Sequence, residues 1–279
     1  MSDAPMRRIR SSMLPGYADC ARRAAAKQYR DEIQAAGYEL RSLMPSIGAA
    51  VGTATHAAVE HVLRHKMETG EPGRIGDGVA AAMEALREEI APGAEWDETT
   101  PNLQTAELQV RRLAEAYMPL VADIEPAGIE MELTAQISPK WELTGKIDLY
   151  TRIAALDDLK TGAVRRPYQA QLGSYSILLR SHGKPVTSVG TTFLPRARKT
   201  KPQPPPERQH YDRAVCEAAA FATIKEITRD VEAFAETADP FAFRANPMSL
   251  MCSARYCPAH GTEFCKLHID QEKDNGPVD

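Results

Sequence analysis

Apolar positions along the chain recur in two regimes. Over the first 125 residues they return at three- and four-residue intervals, the helical period, and afterwards they alternate. Residues 17 to 36 (YADCARRAAAKQYRDEIQAA) are rich in Ala, Arg and Lys without Gly or Pro, which predicts one helix. "GTATHAAVEHVLRHKMETG" predicts a second, from near Thr53 to Gly70, and two more follow at about 76 to 91 and 103 to 123. The stretches "IEMELTAQI", "ELTGKIDLYTR" and "IAALDDLK", with a turn at Ser138-Pro139-Lys140, predict three sequential antiparallel strands. Helical spacing resumes over 166 to 182, and "VTSVGTTFLP" gives a fourth strand placed as in a crossover unit. "PRARKTKPQPPPERQ" is Pro-rich and basic and reads as a stiff exposed loop, before a final helix at 211 to 236. Beyond Asp239-Pro240 there is no clear period, yet the segment carries Phe241, Phe243, Tyr256 and three cysteines, which a disordered tail rarely holds.

Length and composition fit this outline. A chain of 279 residues that is 43% hydrophobic supplies a real core, and we expect one domain with a helical part to about 125, an α/β core over 126–240 and a Cys-rich tail over 241–279. The N-terminus lacks the apolar core of a signal peptide and no uncharged apolar run reaches about 18 residues, so the expected compartment is the cytoplasm. The formal charge of −4 excludes a uniformly basic coat, but Arg7, Arg8, Arg10, Arg22, Arg23, Lys27 and Arg30 crowd the start, and Arg196, Arg198, Lys199 and Lys201 crowd the Pro-rich loop. Either patch suits a polyanion or is solvated surface charge.

The hairpin "WELTGKIDLYTRIAALDDLKTG" places charge among core-forming residues. Uniform alternation puts Leu143, Gly145, Ile147 and Leu149 on one face and Thr144, Lys146, Asp148 and Tyr150 on the other. Asp158 and Lys160 share a side of the next strand, while Asp157 points away. If that side is the one Asp148 occupies, two carboxylates and an ammonium converge. Such carboxylates repel unless a cation or proton separates them, and hard oxygen ligands with open positions suit Mg²⁺ or Mn²⁺. A lysine beside that metal can orient an attacking water and offset charge on a phosphate, which fits phosphodiester hydrolysis. The alternative is an ordinary surface hairpin with an Asp–Lys pair.

"GKIDL", then "DLKTG", then "QLGSY" resemble the PD-(D/E)XK nuclease superfamily, in particular its RecB-like and AddB-like branch with the CRISPR-associated RecB-like iron-sulfur exonucleases. The resemblance implies a restriction-endonuclease-like α/β core, a mixed central sheet flanked by helices. It implies a helix-borne His56 (in "GTATHAAVE"), Asp148, Asp158 and the Leu159 carbonyl around a divalent metal, with Lys160 positioning the nucleophilic water. Gln171 and Tyr175, at i and i+4 on one helix face, would hold substrate backbone or brace the lysine. Glu60 could orient His56 or simply pair with Arg64.

In the same branch, one cysteine ahead of the histidine and three behind the core ligate a [4Fe-4S] cluster, which would here be Cys20, Cys252, Cys257 and Cys265, the last three spaced C-x4-C-x7-C. Zinc on Cys257, His260, Cys265 and His268 is the rival, free structural thiols are the third reading, and Cys216 reads as a core residue. The implied activity is a metal-dependent deoxyribonuclease, acting from ends, in recombination, repair or CRISPR or phage DNA processing. Arg165, Arg166, Arg196, Arg198, Lys199, Lys201 and the basic N-terminal helix would contact DNA phosphates. There is no G-x-x-x-x-G-K-[ST], so unwinding would fall to a helicase, or the protein would serve a recombination or annealing partner. A catalytically silent iron-sulfur adaptor is the other reading.

Overall fold

A computed structural model describes residues 6–267. Within them the chain runs through strand β1 (Arg7–Arg10), helices α1 (Leu14–Asp19), α2 (Ala21–Gln28), α3 (Arg30–Ala35), α4 (Ile47–Thr69), α5 (Ile75–Ile90) and α6 (Leu103–Val121), then β2 (Pro126–Ser138), β3 (Trp141–Thr151) and β4 (Ala155–Gly162). Helix α7 (Gln169–Ser181), β5 (Ser188–Pro195), β6 (Glu207–Tyr211) and α8 (Arg213–Thr237) complete it. The six strands form one mixed sheet, ordered β1-β3-β4-β5-β6 with β2 on the other side of β3. The expected α/β core with its mixed, helix-flanked sheet is therefore present.

Two apolar clusters sandwich the sheet. One packs α1–α3, α7, α8 and the C-terminal segment against residues such as Leu143, Ile147 and Leu156, and the other packs α4–α6 against Ile129, Leu149 and Leu159. The C-terminal segment is anchored as its aromatics suggested, because Phe243 and Phe264 are fully buried and meet Phe234 of α8 at centroid distances of 5.4 and 5.9 Å.

Several expectations change. The helix expected over 17–36 is three short ones, broken at Cys20, whose backbone is extended (φ −151°, ψ 100°), and again at Tyr29 (φ −112°, ψ 36°). Helix α4 starts at Ile47 rather than near Thr53, though it stops as expected at Gly70, which takes the left-handed conformation (φ 85°) that glycine accepts without penalty. Arg7–Arg10 form a strand parallel to β3, and the end of the Pro-rich stretch adds β6 antiparallel to β5. Propensity could not reveal these two short strands, because their partners are remote in sequence. The crossover through α7 does make β5 parallel to β4.

Two glycines set how closely elements approach. A Cβ on Gly145 would lie 2.7 Å from Ser11 Oγ and 2.8 Å from a Tyr175 ring carbon, so α7 sits directly on β3 at that point. At Gly173 a Cβ would fall 1.9 Å from the backbone oxygen of Cys216, placing the α7 and α8 backbones in contact. Backbone cannot retreat as a side chain can. Gly173→Ala is therefore expected to cost about 3 kcal/mol in overpacking, read as a lowered midpoint in chemical denaturation; an unchanged midpoint would refute the contact.

Candidate active site

The strand pairings create a fork. One edge of β3 is shared by β1, over Arg10↔Thr144 and the residues before it, and by β4, which pairs only at Leu149↔Asp157 and Tyr150↔Leu156. Beyond that point β3 and β4 diverge. The Leu159 N–H, deprived of a strand partner, donates instead to Asp148 Oδ2 at 2.8 Å.

The pleat also breaks here. Ile147 packs with the α7–α8 cluster and Leu149 with the α4–α6 cluster, so the expected common face of Leu143, Gly145, Ile147 and Leu149 ends before Leu149. The break falls at Asp148. Across from it, between the pairs Ile129↔Leu149 and Met131↔Ile147, Glu130 adopts φ 48°. A left-handed glutamate inside a strand costs on the order of 1–3 kcal/mol, and strain of this kind concentrates at functional sites.

The kink aims both carboxylates at α4. His56 Nδ1 lies 3.5 Å from Glu130 Oε1 and 3.6 Å from Asp148 Oδ1, and Lys146 Nζ is 2.8 Å from Glu130 Oε2. Among the described residues these three, His56, Glu130 and Asp148, bring metal-ligating atoms within 4.8 Å of one another. Glu130 was not foreseen. Its signal is faint: Glu130 and Glu132 alternate in "GIEMEL", and only the register with β3 tells which one meets Asp148.

On the other branch of the fork Asp158 is 1% exposed, and its carboxylate oxygens take no well-formed hydrogen bond among the described residues; Lys160 Nζ pairs with Oδ2 at 2.7 Å. A buried carboxylate with unused lone pairs is what a cation site requires. The Lys160 ammonium also lies over the Tyr168 ring, 4.7 Å from its centroid. Gln171 Nε2 donates to Tyr175 Oη at 2.8 Å, so these two buried side chains satisfy each other. Glu60 pairs with Arg64 at 2.7 Å. Asp157 points to the other face of the strand from Asp158 and accepts a 2.6 Å hydrogen bond from Thr192, but it does not leave the site as expected, since it lines the same cavity as His56, Glu130 and Asp148.

Concentrated acid shifts the local titrations. Burial opposes charge on His56, but Asp148 and Glu130 outweigh it and lift its pKa to about 9. Burial, reinforced by Asp158 against the pull of His56, raises Asp148 to about 7. Burial raises Asp157 to about 6, while Glu130 is held below the usual carboxylate range by His56 and Lys146 despite its burial.

Several basic residues proposed from the sequence are engaged within the protein. Arg196 is 8% exposed and held by Asp97 at 2.7 Å and by Thr100, which makes it a strut between the Pro-rich loop and the helical part rather than an exposed charge. The loop is further tied by Arg112, which donates to the Lys199 and Lys201 carbonyls at 3.2 Å. Arg198 pairs with exposed Glu98, Arg165 pairs with Glu207, and Arg166 reaches Met251. In α2, Arg22 and Arg23 are buried. Arg22 donates to the carbonyls of Phe243 and Cys265, and Arg23 to Ser249 and Asp19, so the expected DNA-facing basic helix is instead a brace for the C-terminal segment.

Cys20, Cys252, Cys257 and Cys265 line a single cavity with Arg22, Arg23 and Asn246. The break at Cys20 is what turns its side chain toward the others. Cys216 is fully buried in the core, as its neighbours suggested. His268, half of the rival zinc set, lies outside the described residues.

Comparison with known proteins gives this geometry a family. Residues 11–262 match the profile of the PD-(D/E)XK nuclease superfamily. The chain belongs to that superfamily. Its fold is shared with the crystal structure of a candidate exonuclease from Eubacterium rectale, at a TM-score of 0.57 and 11% identity, covering 87% of this chain and 86% of the other. An alkaline exonuclease from Laribacter hongkongensis aligns over 66% of this chain and 96% of its own, with a TM-score of 0.32 and 11% identity. No curated protein matches in sequence. As a PD-(D/E)XK member this protein is a nuclease, and no helix among the described residues is long and apolar enough to cross a membrane.

The raised groups make the metal-free site proton-loaded. Asp148 (to about 7), Asp157 (to about 6) and His56 (to about 9) each bind protons more tightly folded than unfolded, so their contribution to stability is fully present below their unfolded values and is lost as pH rises through the folded ones. Metal-free protein is expected to lose thermal stability progressively between about pH 4 and 9. A divalent cation held by Asp148 and His56 would have to displace their protons, so a Tm gain on adding metal is expected to be larger at the alkaline end. A metal-induced gain that shrinks with rising pH would contradict this assignment.

Proposed function

We propose that this nuclease is an Mg²⁺- or Mn²⁺-dependent deoxyribonuclease that works from DNA ends. The observation that carries the reading is the fork itself: His56, Glu130 and Asp148 gathered on one side, and a buried Asp158 with unused lone pairs beside Lys160 on the other. Asp148, Asp158, His56 and the Leu159 carbonyl would hold the divalent ion, with Glu130 as an additional ligand or as the group that orients His56. When bound, that ion supplies Lewis acidity and lowers the pKa of a water.

The protein's own groups do the rest. Lys160 orients the water whose oxygen attacks phosphorus and offsets negative charge on the phosphate as the P–O bond to the leaving sugar breaks. Glu130, held by Lys146 at 2.8 Å, keeps His56 turned toward Asp148. The Gln171–Tyr175 pair supports the fork from α7, where Tyr175 fills the space above Gly145. Arg165, Arg166, Arg198, Lys199 and Lys201 would meet phosphates, and since Arg165 and Arg198 have acidic partners, DNA must compete with exposed ion pairs that are worth little in water. The solved structure that shares this fold is named as a candidate exonuclease, which favours end-dependent action, with duplex opening left to a helicase or other recombination partner.

The four cysteines would hold a [4Fe-4S] cluster. All four cysteines line one cavity, which supports this set, whereas the zinc set of Cys257, His260, Cys265 and His268 would leave Cys20 and Cys252 unused. Against the alternative of a silent iron-sulfur adaptor stand Asp148, Asp158 and Lys160, which a silent descendant need not retain.

Two outcomes test the reading. On end-labelled single- and double-stranded DNA with Mg²⁺ or Mn²⁺, Asp158→Ala and Lys160→Ala are each expected to cut cleavage by at least about 100-fold while DNA binding persists, and near-normal cleavage by both would remove the site. Protein purified without oxygen is expected to be brown with about four irons per chain, and Cys20→Ser to bleach it; colourless protein carrying zinc would reverse the cofactor assignment.

A further inference from the structure

Lys160 is 17% exposed and has two close partners: Asp158 Oδ2 at 2.7 Å and the face of Tyr168, whose centroid is 4.7 Å from Nζ. The two differ in kind. Asp158 is a carboxylate that the proposed function also commits to a divalent cation, and once its charge is shared with that cation its attraction for the ammonium falls. The Tyr168 ring is neutral. It attracts Lys160 through its quadrupole and has no carboxylate for a cation to recruit, so its hold persists when the site is charged.

The chain fixes this ring independently of the acidic site. Tyr168 is the N-cap residue of α7 (φ −120°, ψ 9°), and its carbonyl accepts the 2.9 Å hydrogen bond from Leu172 N that opens the helix. It is partly buried against the α7–α8 core. Three residues on, Gln171 is paired with Tyr175, which packs at Gly145 of β3. The ring is thus referenced to the same helix that seats on the strand carrying Asp148.

We propose that Tyr168 is a positioning residue for Lys160: its ring face keeps the ammonium at the fork while Asp158 is occupied by a divalent cation. The inference rests on the nuclease site assigned above, but it can be tested without turnover. The role needs an aromatic face and no hydroxyl, so phenylalanine replaces tyrosine and leucine does not.

In ¹H–¹³C spectra, the Lys160 Cε protons are expected to show an upfield ring-current shift, assigned by its loss in Lys160→Arg. The shift is expected in metal-free protein and with non-catalytic Ca²⁺, to survive in Tyr168→Phe and to vanish in Tyr168→Leu. In cleavage assays Tyr168→Leu should lower kcat by about 10-fold with KM for DNA unchanged, and Tyr168→Phe should stay within about two-fold. Tyr168→Met serves in place of leucine if that variant does not fold. Absence of the ring-current shift, equal loss of kcat in the phenylalanine and leucine variants, or an effect confined to KM would each overturn the proposal. A wild-type protein that cuts no DNA yet keeps the shift through Ca²⁺ loading would fault the nuclease reading and leave the lysine contact standing.

Discussion

The divergence of β3 and β4 is the constraint on which the rest of this site depends. Two antiparallel strands that stayed paired would satisfy Leu159 N–H within the sheet and bury Asp148 against a neighbour. Pairing stops after two residue pairs, and the freed amide bonds the Asp148 carboxylate. That one hydrogen bond ties together the two branches that carry the acidic groups. The left-handed Glu130 on β2 completes the distortion by turning its carboxylate toward the same point.

Gathering three acidic residues and a histidine at a partly buried fork is unfavourable without compensation, and each charge has an internal answer. His56 faces Glu130 and Asp148, Lys146 holds Glu130, and Lys160 holds Asp158. These pairs offset the cost of burying like charges; burial raises the pKa of Asp148, whereas that of His56 is raised by Asp148 and Glu130 against its own burial.

The far end of the molecule is organised around buried arginines instead. Arg22 and Arg23 project from α2 into the C-terminal segment and bond carbonyls at Phe243 and Cys265 and side chains at Ser249 and Asp19. With the Phe234, Phe243 and Phe264 contacts they bring Cys20 to three cysteines more than 230 residues later. Packing contacts thus gather the four cysteines around one cavity, and the segment that carries Cys252 also meets the region ahead of α7, since Met251 touches Arg166.

Much was legible without a structure where the signal is local. Helical period, strand alternation and Gly70 gave the element order, and "GKIDL", "DLKTG" and "QLGSY" pointed to the nuclease core, because each needs only neighbouring residues to be read. Nothing local marks Glu130, the opposite face of Leu149, the burial of Arg22, Arg23 and Arg196, or the strands at Arg7 and Glu207. Each of these depends on a partner distant in the chain: the register of β2 on β3, a kink at Asp148, Asp97 across from Arg196, the C-terminal segment over α2. Sequence by itself determined which chemical groups are present and the periodicity that orders them into elements. Which of those groups are buried, which pair and which converge on the fork was decided by tertiary structure, since burial, register and charge pairing are properties of contacts rather than of residues.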